Sequence, residues 1–219
     1  MDHRQLVSLA EALDADLGAR IDFLLEIDKL KTVIRRSRIM DGSRYENTAE
    51  HSWHLAMAVM ILAPHANEDI DVVRAMELLL VHDLVEIDAG DTYVYDDDGN
   101  SHKQAREQAA ADRIFNLLPA DQAAYIAELW DEYERADTPT ARFAYAIDRM
   151  QPVLLNAGSG GSSWVENGIR HSQALGVNAP VSGGSDLLWR YVQSILGAGA
   201  DAGLLGDDRD DRSAELASD

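Results

Sequence analysis

The chain has 219 residues, 46% of them hydrophobic, which is enough for one sizeable core and makes a single domain the plainest reading. Its 39 Asp and Glu against 19 Lys and Arg leave a formal net charge of −20. That balance argues against a nucleic-acid polymer or an anionic membrane as the main partner, because both are held by clustered basic side chains. With no cysteine, neither a disulfide framework nor thiolate chemistry is available, and any metal must be held by nitrogen and oxygen.

Apolar positions recur at helical spacing and strand-like alternation is nearly absent, which predicts an all-α fold. A short helix is expected over about residues 4–15 and a longer one over about 18–34, through Ile21, Leu24, Leu25, Ile27 and Leu30. The segment 35–47 has no apolar period, contains the turn signal Asp41-Gly42-Ser43, and reads as an ordered loop. The next helix, near 48–65, takes Thr48 as its N-cap, buries Leu55, Val59 and Leu62, and stops at Pro64. A further helix near 69–84 delivers His82 and Asp83.

From Ile87 to Ser101 the chain is acidic and broken by glycine. Asp96-Asp97-Asp98-Gly99-Asn100 suits a solvated surface loop, since the downstream Glu of an EF-hand is missing. Helices follow near 102–117, 120–135 and 139–157. A Ser/Gly turn at 159–163 lacks the lysine of a P-loop, and helices near 163–175 and 184–198 complete a domain spanning 1–203. Residues 204–219, with the run Asp207-Asp208-Arg209-Asp210-Asp211-Arg212, are expected to form an acidic, disordered tail. No apolar run reaches the roughly 18 residues of a membrane span, and the stretch Met1-Asp2-His3-Arg4 begins no apolar signal segment, so the expected location is the cytoplasm.

Three of the apolar helices carry ionisable groups where core residues belong. Leu78-Leu79-Leu80-Val81 runs into His82-Asp83, Glu50-His51 opens another helix, and Asp148 stands alone between Phe143 and Met150. Burying isolated charges costs several kcal/mol, and a divalent cation is the natural compensating partner. The expectation is that His51, His82, Asp83 and Asp148 converge on one ion, leaving coordination positions open for water and substrate. Such a set accepts Mn, Co, Fe, Ni or Zn. Taken singly, each residue has an ordinary reading as well: a hydrogen-bonded core histidine, or an aspartate paired with Arg149 or Arg142 on a solvated face.

Glu86, four residues after His82, would set a carboxylate beside the ion without being a ligand. Arg35-Arg36-Ser37-Arg38 is the dense basic cluster of an acidic chain, and reads equally as a phosphate site or a solvated charge run. His54 is expected to pack beside the centre, Lys103 to be an exposed helix-start lysine, and Gln151 and Asn156 to line a pocket or bond backbone.

Taken in order, Leu30-Lys31, Arg35-Arg36, the stretch from Glu46 to Trp53, His82-Asp83-Leu84-Val85-Glu86, Gly90-Asp91 and Asp148 resemble the H…HD…D signature of HD-domain metal-dependent phosphohydrolases. The longer pattern is similar to the branch that includes bacterial 5'-deoxyribonucleotidases. The resemblance implies a single HD-domain helical bundle, a divalent ion on His51, His82, Asp83 and Asp148, and a homodimer. It also implies Glu86 and Asp91 as catalytic or substrate-orienting carboxylates, and Arg35 or Arg36 as the group that binds substrate phosphate. In that branch the arginine commonly lies near a tryptophan that helps select the sugar; here Ser37-Arg38 follows instead.

The implied activity is hydrolysis of a small phosphate ester, most plainly a nucleoside 5'-monophosphate. Rival readings are an HD-type hydrolase of another phosphorylated metabolite and a two-iron relative, for which only His102 lies between the helices of His82 and Asp148. From a different class comes a non-catalytic binding module whose ion, or His-Asp network, merely braces the helices.

Overall fold

The computed structural model describes residues 1–95 and 102–207. Asp2 and Asp14 begin the first two helices, α1 (His3–Glu11) and α2 (Ala15–Ile27), by accepting the backbone N–H of Gln5 and Leu17. A 3-10 turn (Asp28–Thr32) follows.

Where a loop was expected, β1 (Ile34–Arg38) and β2 (Tyr45–Asn47) form an antiparallel hairpin, Ile34 opposite Asn47 and Arg38 opposite Tyr45. The alternation of β1 is real but polar: Arg35 and Ser37 turn inward while Ile34 and Arg36 are exposed, so an apolar count does not find it.

Helix α3 (Thr48–Leu62) is capped by Asn47 rather than Thr48. Asn47 accepts from the Glu50 N–H and Glu50 from the Asn47 N–H, a reciprocal box that frees the Thr48 hydroxyl for other use. A 3-10 turn (Ala63–His65), α4 (Val72–Val81), α5 (Glu86–Ala89), α6 (Lys103–Phe115), α7 (Ala120–Arg135) and α8 (Pro139–Gly158) follow. The helix expected near 163–175 is divided by a turn at Asn167-Gly168 into α9 (Ser162–Glu166) and α10 (His171–Asn178). A short α11 (Val181–Gly184) and α12 (Asp186–Asp201) end the series.

The interior is one continuous cluster. Leu55 and Val59 of α3, Leu78 and Leu79 of α4, Ile114 of α6, Leu129 of α7, Phe143 and Ile147 of α8 and Leu196 of α12 are all fully buried in it. Helix α8 runs through the middle, touching α3, α4, α7, α11 and α12 as well as β1. Residues 204–206, expected to belong to the tail, pack instead: Leu205 is buried, and Gly206 bonds Ile169 and His171 through its N–H and C=O. Residues 208–219 and the acidic segment 96–101 lie outside the described residues. Among the described residues no helix is long and apolar enough to cross a membrane.

The seat of α11 on α8 depends on Gly184. A Cβ there would meet the Arg142 carbonyl oxygen at 2.5 Å and the Phe143 Cα at 2.8 Å, both immovable helix backbone. Gly184→Ala is therefore expected to cost about 1–3 kcal/mol in chemical denaturation. Gly176→Ala, in α10 with nothing within 4 Å of the added carbon, should be neutral or stabilising by about 0.5–1 kcal/mol.

Candidate metal centre and its cavity

Two helix ends and one helix interior bring the charged residues together. His51 lies in the first turns of α3, His82 caps the end of α4, Asp83 follows in the next turn, and Asp148 sits midway along α8. His51 Nε2 is 3.0 Å from Asp148 Oδ1 and 3.9 Å from Asp83 Oδ2. His82 Nε2 is 3.1 Å from Asp83 Oδ2 and 3.9 Å from Asp148 Oδ1. Ligand atoms of His51, His82 and Asp83 all lie within 4.8 Å of one another. Ligands held at about 2.1 Å from a shared ion lie roughly 3.0–3.5 Å apart, so these separations suit a divalent cation.

The far nitrogens of both imidazoles fix their orientation. His82 Nδ1–H donates to the Leu79 carbonyl at 2.9 Å, which leaves Nε2 with a bare lone pair; that atom is buried and has no hydrogen-bond partner among the described residues. His51 Nδ1 faces Gln151 Oε1 at 3.2 Å and Glu46 Oε2 at 3.3 Å. The Gln151 amide nitrogen donates to Glu46 Oε1 at 2.8 Å and to His54 Nδ1 at 3.1 Å, so its oxygen must be the end presented to His51. With their outer nitrogens so engaged, both Nε2 atoms are turned toward the carboxylates; His51 Nε2 bonds Asp148 Oδ1 at 3.0 Å through a proton that an ion bound between them would replace.

The electrostatics around these groups are divided. Burial pushes the Asp83 carboxyl up, but His82 beside it and Arg35 overcome that and hold it well below the usual carboxylate range. Asp148 is likewise held low against burial, by its hydrogen bond to His51 and by His82 and Arg149. Glu86 goes the other way: burial first, then the charges of Asp83 and Asp91, push it up to about 9, and the Thr48 hydroxyl donates to its Oε2 at 3.0 Å. Gly90, at φ 74°, turns the chain after α5 and returns Asp91 toward the centre. Burial raises the Asp91 carboxyl as well.

Arg35 enters the centre from β1. Its Nη1 donates to Asp83 Oδ2 at 2.9 Å and lies 3.7 Å from Asp91 Oδ1. Arg36, on the other strand face, is exposed at the rim of the same cavity. The cavity measures about 260 Å³ and has His82, Asp83, Glu86, Asp91 and Asp148 along one side. Tyr93, Tyr95, Tyr145 and Trp164 line the rest, so a tryptophan does face the cavity, from α9 rather than from beside the arginines. Lys103, expected to be exposed, is half-buried in the wall with Nζ 3.5 Å from Glu107. Asn156 lines the cavity and also bonds backbone, donating to the Pro152 carbonyl and accepting from the Ser163 N–H.

Several participants do not show as interruptions of an apolar helical run. Glu46 lies in the hairpin that takes the place of the expected loop, and Thr48 stands where a cap is expected; neither shows a role of its own within the stretch 46–53. Tyr133, whose hydroxyl donates to Asp148 Oδ2 at 2.9 Å, looked like any core aromatic of α7.

The HD domain family model matches residues 27–189. The human protein named 5'-deoxynucleotidase HDDC2 is 32% identical over 153 residues, which cover 68% of this chain and 73% of that protein. The fission-yeast 5'-deoxynucleotidase hdd1 is 30% identical over 139 residues, covering 61% of this chain and 68% of that one. A crystal structure from Magnetospirillum magnetotacticum, described as a predicted metal-dependent phosphohydrolase, superimposes with a TM-score of 0.83 at 42% identity, covering 87% of this chain and 96% of that chain.

Added Mn²⁺ or Co²⁺ is expected to raise the thermal unfolding midpoint of the metal-stripped protein, and His82→Ala to abolish the rise. Gln151→Leu, which removes one of the two acceptors at the outer nitrogen of His51, should keep the fold yet weaken ion binding about 10–100-fold by equilibrium dialysis.

Proposed function

Because the chain belongs to the HD domain family, we propose that it is a metal-dependent phosphomonoesterase that cleaves a small phosphate ester, most plainly a nucleoside 5'-monophosphate, to the alcohol and phosphate. The observation that carries this reading is the convergence of the inward Nε2 atoms of His51 and His82 on Asp83 and Asp148, with His82 and both carboxylates at the wall of a 260 Å³ cavity. His51, His82, Asp83 and Asp148 would hold one divalent ion. When bound, that ion supplies Lewis acidity toward a phosphoryl oxygen and lowers the pKa of its water.

The protein's own groups supply the rest. Arg35 steadies Asp83 and, with its remaining donors, neutralises charge that grows on the phosphoryl oxygens. Asp91, across from Arg35, accepts a proton from the attacking water. Glu86, whose carboxyl burial and the charges of Asp83 and Asp91 push up, gives a proton to the leaving alkoxide as the ester P–O bond breaks. Arg36 meets the substrate at the rim. The names of the relatives support a nucleotide substrate, and the tyrosines and tryptophan of the outer cavity offer π-faces for a base. A net charge of −20 supports a small ligand over a nucleic-acid polymer or membrane as the partner.

Phosphate release from ribo- and deoxyribonucleoside monophosphates, sugar phosphates and an aryl phosphate, each with several added metals, tests the reading; a metal-loaded protein inert on all of them would point to a metal-braced binding module. Glu86→Gln should retain bound metal and lose roughly 10²–10⁴-fold in kcat. Unchanged turnover in that variant would remove Glu86 from the chemistry.

A further inference from the structure

An arginine carries five N–H donors and keeps its charge at any physiological pH, so a guanidinium withdrawn from water has to find acceptors. Arg35 has found one in Asp83 and has further carboxylates near. Arg149, one residue after Asp148 on α8, has found none: no hydrogen bond to it exists among the described residues, and its Nε is completely buried and unpartnered. Its nearest carboxylate oxygen, Asp148 Oδ2, is 3.9 Å away and already accepts from the Tyr133 hydroxyl. The other oxygen, Oδ1, is engaged with His51. The guanidinium lies over the Tyr145 ring, 5.0 Å from its centre, and lines the cavity. Burial opposes its charge, but Asp148 and the neighbouring tyrosines keep it protonated.

A buried polar group with unspent donors calls for a specific explanation. Stacking on Tyr145 holds the guanidinium plane without using any N–H, which leaves the donors preset for a planar, two-pronged acceptor. The ion-pair partner of an arginine in such a place is a carboxylate or a phosphate, and the only carboxylate within 4 Å among the described residues, Asp148, lies beyond hydrogen-bond distance and already accepts from Tyr133 and His51.

We infer that Arg149 is a second phosphoryl clamp of the cavity, binding non-bridging oxygens of the substrate phosphate from the α8 side while Arg35 acts from β1. The phosphomonoesterase reading names the ester to which that phosphate belongs, and the inference rests on it to that extent; the anion site itself is open to a direct measurement. A merely structural Arg149 would brace Asp148, and its loss would show as lost metal.

The probe is inorganic phosphate, titrated calorimetrically into the metal-loaded full-length wild type, Arg149→Lys and Arg149→Gln, with metal content assayed in each. The expected result is a dissociation constant at least tenfold higher in Arg149→Gln, partial recovery in Arg149→Lys, and unchanged metal content. In any ester that the wild type turns over, KM should rise in the same order. Equal phosphate binding in all three proteins, no binding by the wild type, or phosphate and metal lost together overturns the inference. A wild type that binds phosphate through Arg149 but hydrolyses no ester leaves the clamp standing and removes the phosphomonoesterase reading; normal hydrolysis with Arg149→Gln unchanged does the reverse.

Discussion

Everything at the centre depends on two imidazoles whose outer nitrogens are engaged so that their inner ones face the carboxylates. For His82 this follows from where a helix ends. The last carbonyls of α4 lack partners one turn on, and Leu79 uses its free oxygen to accept from the His82 ring. Ending the helix at Val81 thus both places His82-Asp83 and selects the tautomer that leaves Nε2 as an acceptor. For His51 the same result takes three side chains, Gln151, Glu46 and His54, drawn from α8, β2 and α3.

Concentrating carboxylates in this way would be self-repelling without counter-charge, and the hairpin meets that need within a helical bundle. A strand sends alternate residues to opposite sides, so Arg35 reaches Asp83 while Arg36 stays at the rim. The remaining repulsion shows in Glu86, which burial and the charges of Asp83 and Asp91 keep protonated, while Asp83 and Asp148 remain anions. Carboxyls with their affinities for protons driven apart are what separate acid and base roles require.

The parts that were legible in the sequence are those that break a pattern. His51, His82, Asp83 and Asp148 stand out because charged groups interrupt apolar helical runs, and the long helices α3, α4, α6, α7 and α8 have a clear period. The hairpin was hidden because Ile34-Arg35-Arg36-Ser37-Arg38 alternates between two polar faces. The roles of Glu46, Thr48 and Tyr133 are hidden for another reason, although the first two fall inside a motif: each depends on a partner distant in the chain, 38 residues away for Thr48, 15 for Tyr133 and 105 for Glu46. From sequence Arg149 is no more than a surface partner for Asp148, because no spacing rule distinguishes a guanidinium with spent donors from one whose donors are free.

Helix α8 carries the consequence furthest. Asp148 and Gln151, three residues apart, share one face and serve the imidazoles, while Arg149 and Tyr145, four apart, share the adjacent one and face the cavity. Pro152 removes the N–H that would have bonded the Asp148 carbonyl, a loss tolerated because the helix is packed on several sides. Asp148 and Arg149, the carboxylate of the proposed ion site and the guanidinium of the proposed phosphoryl clamp, are consecutive residues of one buried helix and are held at a spacing set by helical geometry rather than by a loop. Tyr93 and Tyr95, by contrast, lie on an irregular segment after α5. The rigid side of the cavity is therefore suited to the phosphoryl group that every ester shares, and the irregular side to the part by which one ester differs from another.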